Sequence, residues 1–371
     1  MDSERQDLII NGRRIGAGNP VYVIAELSAN HGQCFEQAVE LVRAAKTCGA
    51  DAVKLQTYTP DTLTIDCDNE FFRISGTLWN GRTLYDLYQE AFTPWEWQPK
   101  LKRLADELGI ELFSTPFDAS AVEFLERMNV AAYKIASFEN CDVGLLRKVA
   151  ATGKPIIAST GMATLAEINE LVDTVFAAGG KQLALLKCTS AYPAPPEEMN
   201  LRTIPHLANA FGVPVGLSDH TLGISVPIAA VSLGACIIEK HLTLSRAAGG
   251  PDSAFSLEPD EFKSMVQSIR VAERALGTVH YGLSAGETKS RVFRRSLFVV
   301  KSMKAGEIFS SENIRSIRPG QGLHPRYFSE ILGRAASRDV CRGTPLSWEL
   351  VGEKCPPACA PREGKPEHES G

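Results

Sequence analysis

Residues 213–241, VPVGLSDHTLGISVPIAAVSLGACIIEKH, contain the pattern that predicts the fold. A short apolar run ends at the polar cluster SDH (218–220), a helical stretch (224–233) follows, and a second apolar run (235–238) ends at EKH (239–241). A strand, a helix and a second strand of this kind form a β-α-β unit whose two strands are parallel. Parallel strands end at the same edge of a sheet, so we expect the two histidine-containing clusters to lie side by side.

The same unit recurs along the first 280 residues, where short apolar runs alternate with longer amphipathic stretches. Eight units in series favour a closed parallel barrel, the (β/α)8 TIM barrel, over an open sheet. The predicted strands are Val21–Ala25, Ala52–Leu55, Glu111–Ser114, Ala132–Ile135, Ile156–Ala158, Leu183–Lys187, Val213–Leu217 and Ala235–Ile238. The predicted helices are Phe35–Thr47, Gln98–Leu108, Ser120–Met128, Val143–Ala151, Leu165–Ala178, Leu201–Ala210, Ile224–Leu233 and Pro259–Leu276.

The composition and pattern of the sequence change after Gly282, where short β-like runs and frequent Gly and Pro replace the helical stretches. We therefore predict a barrel domain over residues 1–282, a linker over 283–289 and a small, mostly-β domain over 290–352. The Pro-rich, polar stretch 353–371 predicts a disordered tail.

The longest interruption of the barrel pattern runs from Thr57 to Pro94 and is rich in aromatic residues. It is too long for an ordinary strand-to-helix loop, so it predicts a lid or substrate loop over the barrel mouth. An aromatic mini-core or a subunit contact is the alternative, and the sequence does not decide between them.

Composition and charge narrow the class of protein. The formal charge is −5 with a pI near 5.9, and no basic stripe is evident, so nucleic acid and anionic membranes are not expected as partners. No apolar run reaches the roughly 20 residues of a membrane helix, and the start MDSERQDLII lacks the pattern of a secretory signal. Nine cysteines, an odd number scattered through predicted helices and strands, favour reduced thiols in a cytoplasmic protein.

Polar or ionisable side chains stand at or just after the carboxyl end of every predicted strand, where the active sites of α/β barrels lie. One such side chain means little, but eight sets at one end of a barrel are hard to explain by packing. They include Glu26, Lys54, Gln56, Thr115, Lys134, Ser137, Glu139, Ser159, Ser190, Tyr192, Ser218, His220 and His241.

His220 and His241 end neighbouring strands, which lie roughly 4.8 Å apart in a sheet, so their imidazoles can converge on one divalent ion. Imidazole suits Mn, Fe, Co or Zn and leaves positions open for water and substrate. Glu26 could supply a third contact, directly or through water. The alternative is a pair of hydrogen-bonded histidines without metal.

Lys54 and Lys134 are surrounded in the predicted barrel by hydroxyl side chains, a combination that suits a phosphate or a phosphorylated carboxylate. The main chemical alternative is a Schiff base between one of these lysines and a carbonyl substrate. That chemistry needs a desolvated lysine and no metal, and the histidine pair argues against it.

With these motifs in this order, the sequence resembles the sialic acid synthase family, whose members condense phosphoenolpyruvate with an N-acylated amino sugar. The resemblance covers about residues 15–352, with the motifs in order, and RPGQGLHP (318–325) is similar to the family's small antifreeze-like, β-clip (SAF) domain. Several stretches look most like the pseudaminic acid branch, among them AELSAN, KLQTYTPDT and HLTLSRAAGGPDSAFSL. The other matching stretches are FSTPFD, YKIASFE, IASTGMAT, LLKCTSAYPAP, GLSDHTLG and IIEKHLTL.

The resemblance implies a role for each candidate residue. Catalytic roles fall to Glu26, His220 and His241, with the two histidines holding Mn²⁺ or, as alternatives, Mg²⁺ or Co²⁺. Phosphoenolpyruvate would be held by Lys54, Thr115, Lys134, Ser137, Ser159, Ser190 and Ser218. The sugar would be contacted by Gln56, Glu139, Tyr192 and Asp252, and by Arg318. In the family Arg318 would reach the partner's barrel, in a domain-swapped homodimer.

The implied reaction joins phosphoenolpyruvate to 2,4-diacetamido-2,4,6-trideoxy-L-altrose and water, giving pseudaminic acid and phosphate by C–O cleavage. The same chemistry on N-acetylmannosamine or on the legionaminate precursor is the first alternative. A sugar- or ice-binding protein that kept the folds and lost activity is the second. The resemblance also implies that the product serves flagellin glycosylation.

Overall fold

The computed structural model describes residues 7–354, and it contains the predicted closed parallel barrel. The chain begins with an antiparallel hairpin, β1 (Leu8–Ile10) and β2 (Arg13–Ile15). The barrel strands are β3 (Tyr22–Glu26), β4 (Ala52–Thr57), β5 (Glu111–Pro116), β6 (Tyr133–Ile135), β7 (Ile156–Ser159), β8 (Leu183–Cys188), β9 (Val215–Asp219) and β10 (Ile237–His241). Parallel pairing of β10 with β3, with His241 opposite Glu26, closes the barrel.

Helices connect the barrel strands, and their ends follow ordinary capping rules. The Thr164 hydroxyl accepts from the Glu167 backbone in a capping box, and Gly49 ends the first helix at φ +87°, a conformation that glycine adopts without strain. The helices of this part are α1 (Phe35–Cys48), α2 (Pro60–Leu63), α3 (Leu84–Ala91), α4 (Gln98–Leu108), α5 (Ala119–Arg127), α6 (Val143–Ala150), α7 (Leu165–Ala177), α8 (Thr203–Phe211), α9 (Ser225–Ser232) and α10 (Pro259–Leu276).

The amino-terminal hairpin was not predicted, and it lies at the end of the barrel opposite the strand carboxyl termini. Arg13 pairs with Asp51, which directly precedes β4, and Asp51 also accepts from the Val23 backbone at 2.8 Å. Leu8 and Ile15 are buried with the barrel core. The hairpin therefore covers this end of the barrel, and we expect the active site at the carboxyl-terminal end.

The chain divides into two compact units between Gly277 and Thr278. The second unit has its own apolar core, and its two antiparallel sheets fit the predicted SAF fold. Its elements are α11 (Ala285–Ser290), β11 (Ser296–Val299), β12 (Ile314–Ile317), α12 (Phe328–Ile331), β13 (Arg334–Ala336) and β14 (Val351–Lys354). Strand β14 runs two residues past 352, and the predicted tail from 355 to 371 lies outside the described residues.

The polar clusters 218–220 and 239–241 lie in the strands rather than in the loops after them, except for His220, which directly follows β9. Alternate residues of a strand point to opposite faces, so each cluster is divided. Asp219 and Lys240 are fully buried and form an ion pair with each other, and Lys240 also donates to the Thr221 carbonyl at 2.5 Å. Their neighbours Ser218 and Glu239 face the other way, into the barrel mouth.

The insertion after β4 contains α2 and α3 and contributes side chains to the barrel mouth. It also makes aromatic contacts of its own, for example between Tyr58 and Tyr88 with ring centroids 5.7 Å apart. Nowhere in residues 7–354 does a helix have the length and apolar character needed to cross a membrane.

Candidate active site

A cavity of about 350 Å³ opens at the carboxyl ends of the barrel strands and gathers most of the predicted site residues. Three predicted residues do not line it. Thr115 is buried in β5 with a hydroxyl that has no partner among the described residues, Ser190 lies beside the cavity, and Arg318 belongs to the second unit. The predicted residues that do line it are Glu26, Lys54, Gln56, Lys134, Ser137, Glu139, Ser159, Tyr192, Ser218, His220, His241 and Asp252.

Lys54 sits between two buried carboxylates at the floor of the cavity. Its Nζ lies 2.8 Å from Glu26 Oε2 and 3.0 Å from Glu239 Oε1, and Ser218 donates to the same Glu239 oxygen at 3.1 Å. Burial lowers the pKa of Lys54 to about 8, with Glu239 opposing part of that effect. Burial raises the pKa of Glu239, but Lys134 and Lys54 outweigh it and bring that pKa to about 2. Glu239 is therefore a fixed anion that holds Lys54 in place.

A cluster of hydroxyl groups surrounds the second lysine. Lys134 Nζ donates to Ser159 Oγ at 2.6 Å and to the carbonyl of Ile135 at 2.7 Å. The Gly161 backbone N–H donates to Ser137 Oγ at 3.1 Å. A Cβ at Gly161 would lie 2.3 Å from Ser190 Oγ and 2.6 Å from Ser137 Oγ, so only glycine fits between these hydroxyls. Cation, hydroxyls and a backbone N–H together form a site suited to an anion.

His220 and His241 face each other with ring centroids 5.4 Å apart. His220 Nδ1 lies 3.1 Å from the Thr189 carbonyl, which fixes its hydrogen there and leaves the Nε2 lone pair available. The Nδ1 atom of His241 is buried without a partner among the described residues, and burial, with His220 nearby, lowers the pKa of His241 well below its usual value. The neutral imidazole of His241 and the free Nε2 of His220 fit a divalent metal.

The protein would supply only these two ligands. Glu26 faces Lys54 and Gln56, and within residues 7–354 no three His, Cys, Asp or Glu side chains are grouped to hold a metal. Glu26 as a third contact, directly or through water, stays a prediction, and substrate or water would fill the remaining coordination positions.

Cys188 extends the surroundings of the histidine pair. Its Sγ lies 3.9 Å from His220 Nδ1, and although burial raises the pKa of this thiol, the hydrogen bond and charge of His220 lower it to about 7. Burial lowers the pKa of His220, but its contact with Cys188 raises it above the usual value. None of the seven cysteines in the described residues forms a disulfide.

The remaining wall of the cavity combines a polar strip with a broad apolar side. Gln56 Nε2 donates to Glu26 Oε1 and to Ser28 Oγ, both at 3.2 Å, and the Ser28 hydroxyl donates to Asp252. The apolar side comes largely from the insertion after β4. Its members include Leu63, Ile74, Trp79, Leu84, Leu87, Tyr88 and Ala91.

Trp79 joins the insertion to the rest of the barrel mouth. Its indole N–H donates to the Pro251 carbonyl at 3.0 Å, and its ring lies 5.8 Å from that of Tyr192. These contacts place the insertion at the cavity, as the lid or substrate-loop interpretation predicts. A ligand in the cavity would meet hydroxyls and charges on one side and aromatic and aliphatic carbon on the other.

Several cavity residues were not among the predicted site residues, including Ser28, Trp79, Cys188 and Glu239, and neither was Gly161, which lies beside Ser137. A period of two would have found Glu239, because it stands two residues before His241 in the same strand and therefore shares its face. No comparable signal marks Cys188, whose importance depends on contacts with residues far away in the sequence.

A closed α/β barrel that collects buried lysines, hydroxyls and an imidazole pair at its carboxyl-terminal mouth is built like an enzyme. The chain belongs to the NeuB family, whose pattern matches residues 41–281, and residues 294–352 match the SAF domain.

Three known synthases are similar to this chain in sequence or structure along most of its length. The pseudaminic acid synthase of Campylobacter jejuni subsp. jejuni serotype O:23/36 (strain 81-176) is 49% identical over 88% of this chain and 95% of its own length. The N,N'-diacetyllegionaminic acid synthase of Legionella pneumophila subsp. pneumophila is 40% identical over 92% and 98%. The solved N-acetylneuraminic acid synthetase of Leptospira borgpetersenii serovar Hardjo-bovis, in complex with citrate, has a TM-score of 0.70 at 30% identity, covering 78% of this chain and 96% of that one.

Proposed function

We propose that the chain is a pseudaminic acid synthase. It would condense phosphoenolpyruvate with 2,4-diacetamido-2,4,6-trideoxy-L-altrose and water, and release pseudaminic acid and phosphate. The observation that carries the proposal is the single cavity in which an anion site around Lys54 and Lys134 meets the pair His220 and His241. An anionic donor and a carbonyl acceptor can be held there within reach of each other.

The lysines and hydroxyls would bind the phosphate and carboxylate of phosphoenolpyruvate and set its C3 carbon toward the aldehyde carbon of the open-chain sugar. C3 attacks that carbon, the aldehyde oxygen takes up a proton, and positive charge develops at C2. Water adds at C2 and loses a proton, and the C2–O bond to phosphate then breaks. Glu26 is placed beside Lys54 to stabilise the developing cation or accept the water's proton.

A divalent metal held by His220 and His241, which we propose to be Mn²⁺ with Mg²⁺ or Co²⁺ as alternatives, would supply Lewis acidity for the aldehyde oxygen. The protein's own part is to hold both imidazoles in place with nitrogens free for the metal. Burial keeps His241 neutral in the free protein, and the Thr189 carbonyl orients His220 by accepting from its Nδ1–H.

The choice of sugar rests on two observations. Identity to the pseudaminic acid synthase of C. jejuni is 49%, against 40% to the legionaminic acid synthase of L. pneumophila. The apolar side of the cavity, with Ile74, Trp79 and Leu84, also suits a 6-deoxy sugar better than one with more hydroxyls. The legionaminate precursor and N-acetylmannosamine are the alternatives with the same mechanism.

We also propose a homodimer in which the small domain of one chain covers the barrel of the other. Phe138, Met162 and Leu222 follow three barrel strands and are 58%, 63% and 64% exposed, an apolar set around the mouth that a partner would bury. Residues 278–354 carry 13 Lys and Arg against 7 Asp and Glu, whereas the whole chain carries −5. Opposite charges on the two parts favour such an association, and Arg318 would then reach the partner's site.

Phosphoenolpyruvate is a cytoplasmic metabolite, so we propose the cytoplasm as the place of the reaction. We propose flagellin glycosylation as the use of the product, as the family resemblance implies.

The reaction is tested by measuring phosphate release from phosphoenolpyruvate with the trideoxy sugar and Mn²⁺. We expect release that depends on the sugar, stops in EDTA, returns with added metal and is insensitive to borohydride. Activity that survives EDTA and is trapped by borohydride would indicate a lysine Schiff base instead. Glu26→Gln should lose at least about 100-fold in kcat, and full turnover in that variant would exclude the role given to Glu26.

A further inference from the structure

Ser28 connects two side chains of the polar wall that come from distant parts of the chain. It is 2% exposed, its hydroxyl donates to the carboxylate of Asp252, and its oxygen accepts from Gln56 Nε2 at 3.2 Å. The other Gln56 N–H donates to Glu26 Oε1, also at 3.2 Å. All four side chains line the cavity.

This connection determines what the wall can offer to a ligand. Both amide hydrogens of Gln56 are already used, so its free Oε1 can only accept. Asp252 accepts from Ser28 and from the Ala29 backbone, and a carboxylate has about four acceptor positions, so acceptor capacity remains. Burial raises the pKa of Asp252 above its usual value, with the Ser28 hydrogen bond opposing this, and with Asp252 ionised the polar wall presents acceptors and no donors from these two residues.

The backbone at Ser28 is the second observation. Its φ is +45°, a conformation that glycine adopts readily and other residues seldom adopt. A side chain kept at such a position in a cavity wall indicates that the side chain itself is needed there. The hydrogen bonds to Gln56 and Asp252 are what glycine would lack.

We propose that Ser28 is a positioning residue that sets Gln56 and Asp252 as paired hydrogen-bond acceptors for the sugar. The site then selects sugars that present two donors, amide N–H or hydroxyl, to this wall, and rejects analogues that lack them. The inference rests on the proposed condensing function and deepens it by naming what determines sugar recognition.

The first test compares Ser28→Gly and Ser28→Ala with the unchanged protein. Ser28→Gly relieves the backbone while removing the hydroxyl, so its melting temperature should be equal or higher. Its KM for the sugar should rise at least about 10-fold, with kcat and the KM for phosphoenolpyruvate within about 3-fold. Asn129→Gly is the matched control, since Asn129 also has a positive φ of 53° but is exposed at the end of α5. It should change neither KM.

The second test uses sugar analogues in which each amide N–H or hydroxyl donor is replaced in turn by an ester oxygen or a hydrogen. Two analogues should lose at least about 10-fold in kcat/KM with the unchanged protein, and most of that loss should disappear in Ser28→Gly. Equal rises in both KM values, or analogue penalties that do not depend on Ser28, would overturn the proposal.

Failure of the positioning role is distinguishable from failure of the proposed function. If the unchanged protein releases no phosphate with any sugar, the condensing function fails, and calorimetric binding of the trideoxy sugar then tests the role of Ser28 directly. Binding at least about 10-fold weaker in Ser28→Gly would support the positioning role. Equal binding, or no binding to the unchanged protein, would overturn it.

Discussion

Glu139 is a carboxyl group in the cavity whose ionisation is opposed by its surroundings. Its Oε2 atom is buried without a hydrogen-bond partner among the described residues, and burial raises its pKa from 4.5 to about 7, against the partial opposition of Lys134. An acid whose pKa is higher in the folded chain binds its proton more tightly when folded. Its contribution to folding stability is therefore lost as the pH rises from about 4.5 to about 7.

We predict that Glu139→Gln melts at a higher temperature than the unchanged protein at pH 8, because the neutral amide avoids burying a charge. The gain is on the order of 1–3 kcal/mol at most, and it should shrink as the pH falls toward 5. Thermal unfolding followed across this pH range checks the prediction. Glu107→Gln, on an exposed position of α4, is the control and should melt like the unchanged protein. A Glu139→Gln variant that is less stable at pH 8 would contradict the argument.

At the residue scale, the sequence predicted the groups whose type alone suggests chemistry. His220, His241 and Lys134 are ionisable residues at the carboxyl ends of apolar strands, and the structure places them at one cavity. Gly161 escaped prediction because its role depends on distances to other residues across the barrel. The metal and substrate roles given to individual residues stay predictions.

The insertion after β4 decides much of the cavity's character at the element scale. The insertion adds a largely apolar surface to the polar barrel mouth. Trp79 holds the insertion there by a hydrogen bond to the Pro251 carbonyl and a ring contact with Tyr192. Trp79 contacts Tyr192, which we propose to hold the sugar, whereas the hydrogen bonds of Lys134, which we propose to hold phosphoenolpyruvate, go to Ser159 and the Ile135 carbonyl. The KM values for the two substrates should therefore change by different factors when the Trp79 contacts are removed.

We predict that Trp79→Ala raises the KM for the sugar about 10-fold while the KM for phosphoenolpyruvate changes less than about 3-fold. Steady-state kinetics with each substrate varied in turn provide the measurement. Phe71→Ala is a suitable control, because Phe71 belongs to the same insertion but is 81% exposed. A parallel rise in both KM values would show that the insertion supports the whole site rather than the sugar.

The eight barrel strands were predicted in the right order, and β6 ends at Ile135 as predicted, but the other seven carboxyl ends were placed one to three residues too early. The prediction stopped β9 at Leu217 and β10 at Ile238, where the sequence becomes polar, while the strands continue to Asp219 and His241. Polar residues can extend a buried strand when each finds a partner, as Asp219 does with Lys240. The short helices α2 and α3 and the first hairpin escaped prediction because segments of that length carry little periodicity.

At the scale of the whole molecule, the proposed homodimer makes each active site depend on two chains. We predict that the homodimers of Glu26→Gln and of Arg318→Ala are each nearly inactive. In a mixed dimer the chain with intact Glu26 would receive the intact Arg318 of its partner, so one site works. Random mixing should restore about one quarter of the wild-type activity, because half of the dimers are mixed, and the purified mixed dimer should have about one half.

Co-expression of the two variants with different tags, followed by purification of the mixed dimer, measures this recovery. The double variant carrying both substitutions in one chain should stay inactive in any mixture and serves as the control. A mixed dimer without activity would mean that Arg318 acts within its own chain. Sedimentation of the unchanged protein as a monomer would contradict the proposed homodimer.

Phosphate release from phosphoenolpyruvate, measured with Mn²⁺ and each candidate sugar in turn, tests the central claim most directly. The account predicts turnover with 2,4-diacetamido-2,4,6-trideoxy-L-altrose, and kcat/KM values at least about 100-fold lower with N-acetylmannosamine and the legionaminate precursor. Preference for either of those sugars would keep the chemistry and contradict the pseudaminic assignment. Silence with every sugar, on folded protein with metal bound, would contradict the enzyme itself and favour a sugar-binding protein.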